Sequence, residues 1–235
     1  MKEDRTKTED AIVLYEDNHL IAISKPFGMP SQKDNTGDLS ASDWVMEYIR
    51  EKYNKPGNVY VGLLHRLDRP AGGLLLLAKT SKAASRMSEM FQKRKIEKKY
   101  LILTQATPHP KSGRLEHFLG PVPGKVNIIR AHDKAGNNRK VAKLNYEVLK
   151  TQNKRALVEV NLETGRKHQI RVQMAKIGCG ILGDGKYCQT PFLSDKSIAL
   201  FAWKVKFLHP VRKEEWIEIE APFPKSTVWA NWSLD

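Results

Sequence analysis

Hydrophobic positions along this 235-residue chain fall at two spacings, and each spacing predicts its own elements. Over 40–53, Val45, Ile49 and Tyr53 recur every fourth residue behind Ser40 and Asp43, an N-cap and a capping-box-like acid, so the segment predicts a helix. Lys55-Pro56-Gly57-Asn58 ends it. A second amphipathic helix is expected over 81–95, with Ala84, Met87, Met90 and Phe91 on one side, and a third from 165 to Gly178, with Ile170, Met174 and Ile177 toward the core. Short apolar runs at 11–15, 20–23, 59–64 and 100–104 predict strands, and the uniformly apolar 74–78 predicts a strand buried on both faces. Apolar residues alternate well enough over 141–149 and 155–163 to predict a hairpin. Between these, 105–140 is rich in Pro, Gly and charge and is expected to be loops with short strands such as 126–130. Strands without regular intervening helices argue for an α+β fold.

Charge changes this picture only when it is divided along the chain. Residues 1–60 carry 8 basic and 11 acidic side chains, 61–120 carry 12 and 4, 121–180 carry 13 and 4, and 181–235 carry 7 of each. The net +14 therefore arises in the central half, which suits a polyanionic partner whose phosphates Lys and Arg neutralise. A generally basic protein is the plainer alternative. A chain of this length can bury a full core, and no repeat or linker divides it, so 11–235 is expected to be one domain behind a frayed polar tail at 1–10. No apolar run approaches the length of a membrane span, and the tail is neither a signal peptide nor an acid-poor transit sequence. Cys179 and Cys188 form no disulfide framework and fit a reducing, cytoplasmic setting. His65 and His168 lack the neighbours of a metal site, so no metal is expected.

The chemistry-bearing stretch is His65-Arg66-Leu67-Asp68-Arg69-Pro70-Ala71-Gly72-Gly73, a carboxylate between two arginines at a turn ahead of the apolar run. Taken alone, such a pair is most often a structural salt bridge. Other segments stand out beside it: Lys25-Pro26-Phe27-Gly28, Lys98-Lys99-Tyr100, Gly165-Arg166-Lys167-His168-Gln169-Ile170-Arg171, and Ile181-Leu182-Gly183-Asp184 with Tyr187. Arg171 sits at the edge of a buried helix face and needs a carboxylate partner, for which Asp68 is the candidate. The basic run Lys93-Arg94-Lys95, with Lys98 and Lys99 after it, is either a solvated helix end or a contact for phosphate.

In this order the segments resemble the motifs of the RluA family of pseudouridine synthases: His-Arg-Leu-Asp, Lys-x-Tyr, Gly-Arg-x-His-Gln-Ile/Leu-Arg and Leu-Gly-Asp-x-x-Tyr. The resemblance runs from about residue 11 to about 213. It implies a long mixed, mostly antiparallel sheet with flanking helices and a central cleft, and isomerisation of specific uridines in structured rRNA or tRNA to pseudouridine, without a cofactor and after base flipping. It also implies Asp68 as nucleophile, Tyr100 as base or ring-stacking partner, and Arg171 as the cation that keeps Asp68 ionised. Arg66 is expected to fill the space of the flipped base, Arg166 to meet phosphate, and Lys25 and His168 to join the RNA-binding set, Lys25 alternatively supporting the site from its turn and His168 alternatively packing in the core. The family's Thr-Ser-Gly after the Asp is Ala71-Gly72-Gly73 here, so two hydroxyls are missing from the turn, and Gly72 is expected to serve its backbone conformation. The chain is expected to act as a monomer without an added RNA-binding domain. A non-catalytic RNA-binding factor of the same fold, and a glycosidic-bond enzyme, are the competing readings; the first would not need Asp68, Tyr100 and Arg171 together, and the second normally needs two cooperating carboxylates.

Overall fold

A computed structural model describes residues 11–188 and 191–234; the tail expected at 1–10 lies outside them. Its centre is one 11-stranded sheet. Nine strands run in the order β1 (Ile12–Glu16), β2 (Leu20–Lys25), β4 (Gly72–Ala78), β10 (Leu200–Leu208), β5 (Glu97–Thr104), β9 (Arg155–Leu162), β8 (Lys140–Gln152), β6 (Ser112–Pro121) and β7 (Ile129–His132). Off that path, β3 (Gly62–Leu63) pairs with β4 and β11 (Trp216–Glu220) with β10. Every pairing is antiparallel except β4 with β10, so the sheet is mixed and mostly antiparallel, with few helices: the α+β fold expected.

Local chemistry accounts for the elements that the pattern predicts. Helix α1 (Ala41–Lys52) starts where the Ser40 hydroxyl accepts the Asp43 N–H, and it buries Ala41, Val45 and Ile49. Helix α2 (Ser81–Gln92) begins on Thr80 and stops short of the expected residue 95, because Arg94 takes a positive φ. All seven residues of β4 are buried, as a strand covered on both faces must be. The β8–β9 hairpin turns on Asn153 and Lys154, both at positive φ, the conformation that a two-residue hairpin loop requires.

Elsewhere tertiary contacts prevail over the pattern. The strand expected at 59–64 shrinks to two residues; beyond Leu63 the His65 imidazole, not another strand residue, accepts the Leu76 N–H at 3.1 Å, and the chain leaves the sheet toward the turn at Asp68. The stretch expected to be mostly loop contains the ten-residue β6, whose inward positions include His117, a polar residue that sequence patterning counts as exposed; its Nδ1 meets Gln173 Nε2 at 3.1 Å. Helix α3 spans only Gln169–Lys176, because His168 is left-handed at φ 54°. The parallel crossing of β4 and β10 brings Gly73, φ +101°, against Ala202: a Cβ there would lie 2.2 Å from the Ala202 carbonyl oxygen. Gly73, and not Gly72, is therefore the residue whose backbone only glycine supplies. Gly72 leaves room for the Phe27 ring, which would stand 3.0 Å from a Cβ.

Candidate active site

The turn that carries Asp68 is built from beneath. The Ala71 N–H donates to the Asp68 carbonyl at 3.0 Å, and the Lys25 ammonium donates to the carbonyls of Pro26, Met29 and Ala71 at 2.6–2.9 Å. Lys25 is 1% exposed, so the expectation that it binds RNA is corrected: its donors are consumed inside the protein, where it ties the 26–29 turn to the turn that carries Asp68. Burial pushes its ammonium down to about 7, against the field of Asp68. Arg69 is engaged elsewhere, donating to the Gly28 carbonyl and holding Asp34, Thr36 and Asp38 of the adjoining loop. Among the described residues neither Arg66 nor Arg69 pairs with Asp68; its cation comes from α3.

Arg171 Nη1 donates to Asp68 Oδ2 at 2.8 Å, across 103 residues of chain. The expected partner is present, but as the second one: Nε and Nη2 make a bidentate pair with Asp184, both at 2.7 Å, and the Asp184 side chain is fully buried. Burial opposes the Arg171 charge, and hydrogen bonds and charges from Asp184 and Asp68 more than offset it, leaving the guanidinium firmly protonated. Asp184 thus sets the plane of the guanidinium, and the remaining nitrogen holds Asp68. The Tyr187 ring lies 5.1 Å beneath the same guanidinium.

The other Asp68 oxygen faces His168, whose Nε2 is 3.7 Å from Oδ1. Burial, aided by Arg171, outweighs Asp68 and lowers the His168 imidazole to about 4, so it is neutral near pH 7. Tyr187 OH accepts the Ile129 N–H at 3.1 Å and stands 2.5 Å from His168 Nδ1; donating its own proton there places the ring hydrogen on Nε2, toward Asp68. The turn ahead of His168 is wrapped by Gln169, whose Oε1 accepts from the Arg166 N–H and the Thr164 hydroxyl while Nε2 donates to the Lys143 carbonyl. His168 therefore lines the cleft with a mostly buried side chain held by Tyr187.

Asp68, Tyr100, Arg66, Arg166 and His168 line one open cleft of about 960 Å³, at the upper end of ligand-pocket volumes, about 300–1,000 Å³. Tyr100 stands on β5 near the middle of the sheet, between β10 and β9. Burial, followed by the negative field of Asp68, raises its hydroxyl well above the ordinary value, so the phenol is protonated at rest. Arg66 is exposed at the cleft, and Arg166 donates Nε to the Val141 carbonyl at 3.0 Å. Among the described residues no cluster of three or more His, Cys, Asp or Glu could hold a metal ion, and no helix is long and apolar enough to cross a membrane. Sequence reasoning gave no role to Asp184 or Tyr187; the Leu-Gly-Asp-x-x-Tyr motif that contains both was the available signal.

The sequence profile of the RNA pseudouridylate synthase family matches residues 19–176. Ribosomal large subunit pseudouridine synthase C of Rickettsia typhi is 33% identical over 221 residues, which cover 90% of this chain and 68% of that protein. Ribosomal large subunit pseudouridine synthase D of Nitrosomonas europaea is 32% identical over 84% of this chain, which spans 58% of its length. Among solved structures, human RNA pseudouridylate synthase domain containing 4 superposes with a TM-score of 0.76 at 26% identity, over 91% of this chain and 89% of that one. A motif order that resembles one family, a sheet that superposes on a solved member and a profile covering most of the chain agree: the chain belongs to the RNA pseudouridylate synthase family, RluA type, whose members are isomerases acting on RNA.

Proposed function

We propose that this protein isomerises uridine in folded RNA with Asp68 as the nucleophile, Tyr100 as the proton-handling group and Arg171 as the cation that holds Asp68. The observation that carries this reading is the 2.8 Å pairing of Asp68 with Arg171 in a cleft that Tyr100 also lines. Conversion of uridine to pseudouridine breaks the bond from C1′ to N1, turns the base, joins C1′ to C5 and moves a hydrogen from C5, N1 ending protonated. It is redox-neutral and adds no atom, so a carboxylate and a proton-transfer group suffice. With one Asp68 oxygen fixed by Arg171, the other is available to the substrate.

A uridine inside folded RNA reaches Asp68 only after extrusion, at a cost of a few kcal/mol. Arg66, exposed where it lines the cleft, would fill the vacated stack, and Arg166 and His168 line the same cleft. The names of the Rickettsia and Nitrosomonas relatives favour large-subunit rRNA over tRNA as the substrate. Residues 11–235 act in this reading as one catalytic unit, monomeric and cytoplasmic, with no metal or cofactor.

Chemical mapping of pseudouridine in cellular rRNA and tRNA, with and without the gene, tests this directly. At least one site is expected to vanish in the deletion strain and to return with the wild-type protein but not with Asp68→Asn, for which kcat falls by about 10³-fold or more. Modification restored by Asp68→Asn would remove Asp68 as nucleophile; an unchanged map would refute the synthase reading.

A further inference from the structure

The basic residues lining the cleft divide by whether the protein already uses them. Arg69 and Arg166 are half-buried and spent, the first on Gly28, Asp34, Thr36 and Asp38, the second on the Val141 carbonyl. Lys167 is exposed and donates to Asn127, and Lys33, Arg66 and Arg94 are exposed to water. Lys98 differs from all of these. It is half-buried, lines the cleft, and its side chain makes no hydrogen bond or ion pair among the described residues, Nζ standing over the Phe91 ring at 5.8 Å. Burial lowers its ammonium, and no carboxylate counters that, while its charge helps to keep the buried His65 imidazole neutral.

Strand geometry sets its direction. Residues two apart on β5 share a face, so Lys98 lies on the side of Tyr100, about 6.6 Å away along the strand. Lys99 takes the opposite face and is paired with Glu159 at 2.8 Å, and Lys93 is paired with Glu89. Of the basic run 93–99, Arg94 and Lys98 line the cleft, and of these two Lys98 alone is half-buried, with no ion pair among the described residues. Its head is near Gly165, where a Cβ would be 3.7 Å from Nζ, so the missing side chain there keeps the approach open.

Resting on the pseudouridine synthase reading, we infer that Lys98 is the binding group for a backbone phosphate of the extruded nucleotide, seated one pleat from the residues that engage its sugar and base. A full negative charge is the ligand that compensates a withdrawn, unpaired ammonium; a neutral uracil carbonyl compensates it poorly. Lys98 is a substrate-binding residue in this scheme, apart from the proton transfer.

The test uses the full chain, Lys98→Met and Lys98→Gln, titrated with unmodified large-subunit rRNA transcript and with total tRNA across a KCl series. Both variants are expected to bind about tenfold more weakly to the RNA that fits, with the slope of log affinity against log salt reduced by about 0.7 to 1, the signature of one lost phosphate contact. Their thermal midpoints should equal or exceed that of the wild type, since an unpaired charge is removed. An unchanged salt slope in both variants overturns the assignment, including the case in which KM alone rises, which would mean a uracil carbonyl contact. A lowered midpoint with an unchanged slope would show a structural lysine. Because RNA binding is read separately from pseudouridine formation, failure of the Asp68→Asn test would refute the catalytic reading without deciding this one.

Discussion

At the residue scale, the site is a chain of dependent placements. Asp184 orients Arg171, Arg171 holds one oxygen of Asp68, and Tyr187 sets the tautomer of the histidine that faces the other. Tyr187→Phe keeps the ring under Arg171 and removes only the hydroxyl; kcat should fall about tenfold with RNA affinity within about threefold, the pattern of an interaction used in the transition state. Equal losses in affinity and turnover would instead make His168 an RNA contact. Tyr100→Phe separates the two roles considered for that residue. If its hydroxyl handles a proton, kcat drops by about 10² or more while binding persists, since general acid–base groups contribute about 10² to 10⁴. A variant that turns over near the wild-type rate would leave Tyr100 as a stacking ring. Asp68, Tyr100 and Arg171 could be singled out as candidates because the motifs that contain them are local. Asp184 had no role assigned because nothing in its own neighbourhood says which arginine it meets, 13 residues earlier.

At the element scale, predictable periodicity and unpredictable pairing meet at the sheet. Helix α1 was readable from its cap and its four-residue spacing, yet what anchors it is Glu16 at the end of β1, which accepts from Tyr48, Lys52, Tyr53 and Lys79. Burial works to raise the Glu16 carboxyl, but these donors prevail and lower it from 4.5 to about 2. A carboxylate lowered on folding contributes stability that is complete above its unfolded value and is lost as pH falls through its folded value. The thermal midpoint should therefore drop between about pH 4.5 and pH 2, and Glu16→Gln should flatten that drop while lowering the midpoint at pH 7. A pH profile identical in wild type and variant would show that Glu16 does not carry this anchoring. Strand β6 escaped sequence reading because the inward-facing His117 breaks its alternation, and no element was expected beyond residue 178, although β10 lies at the centre of the sheet.

At the scale of the whole molecule, the charge imbalance and the fold give one consequence. The net charge of +14 arises in residues 61–180, which supply Arg66, Lys98, Arg166 and Lys167 to the cleft. RNA affinity should fall steeply with salt, by about 10³-fold between 50 and 200 mM if six phosphates are neutralised. A nearly salt-independent affinity would contradict binding through the basic cleft. The sequence by itself determined the α+β class, the order of the motifs, the cap of α1, the hairpin and the residue types of the candidate site, because each depends on neighbours within a turn or a pleat. Only the tertiary structure decided that Lys25 is spent beneath the site, that Lys99 is paired while Lys98 is free, that Gly73 must clear Ala202, and that Arg171 serves two carboxylates at once. Those outcomes depend on which distant segments share the core, and a charge or a glycine has its meaning fixed by the group that the fold brings opposite it.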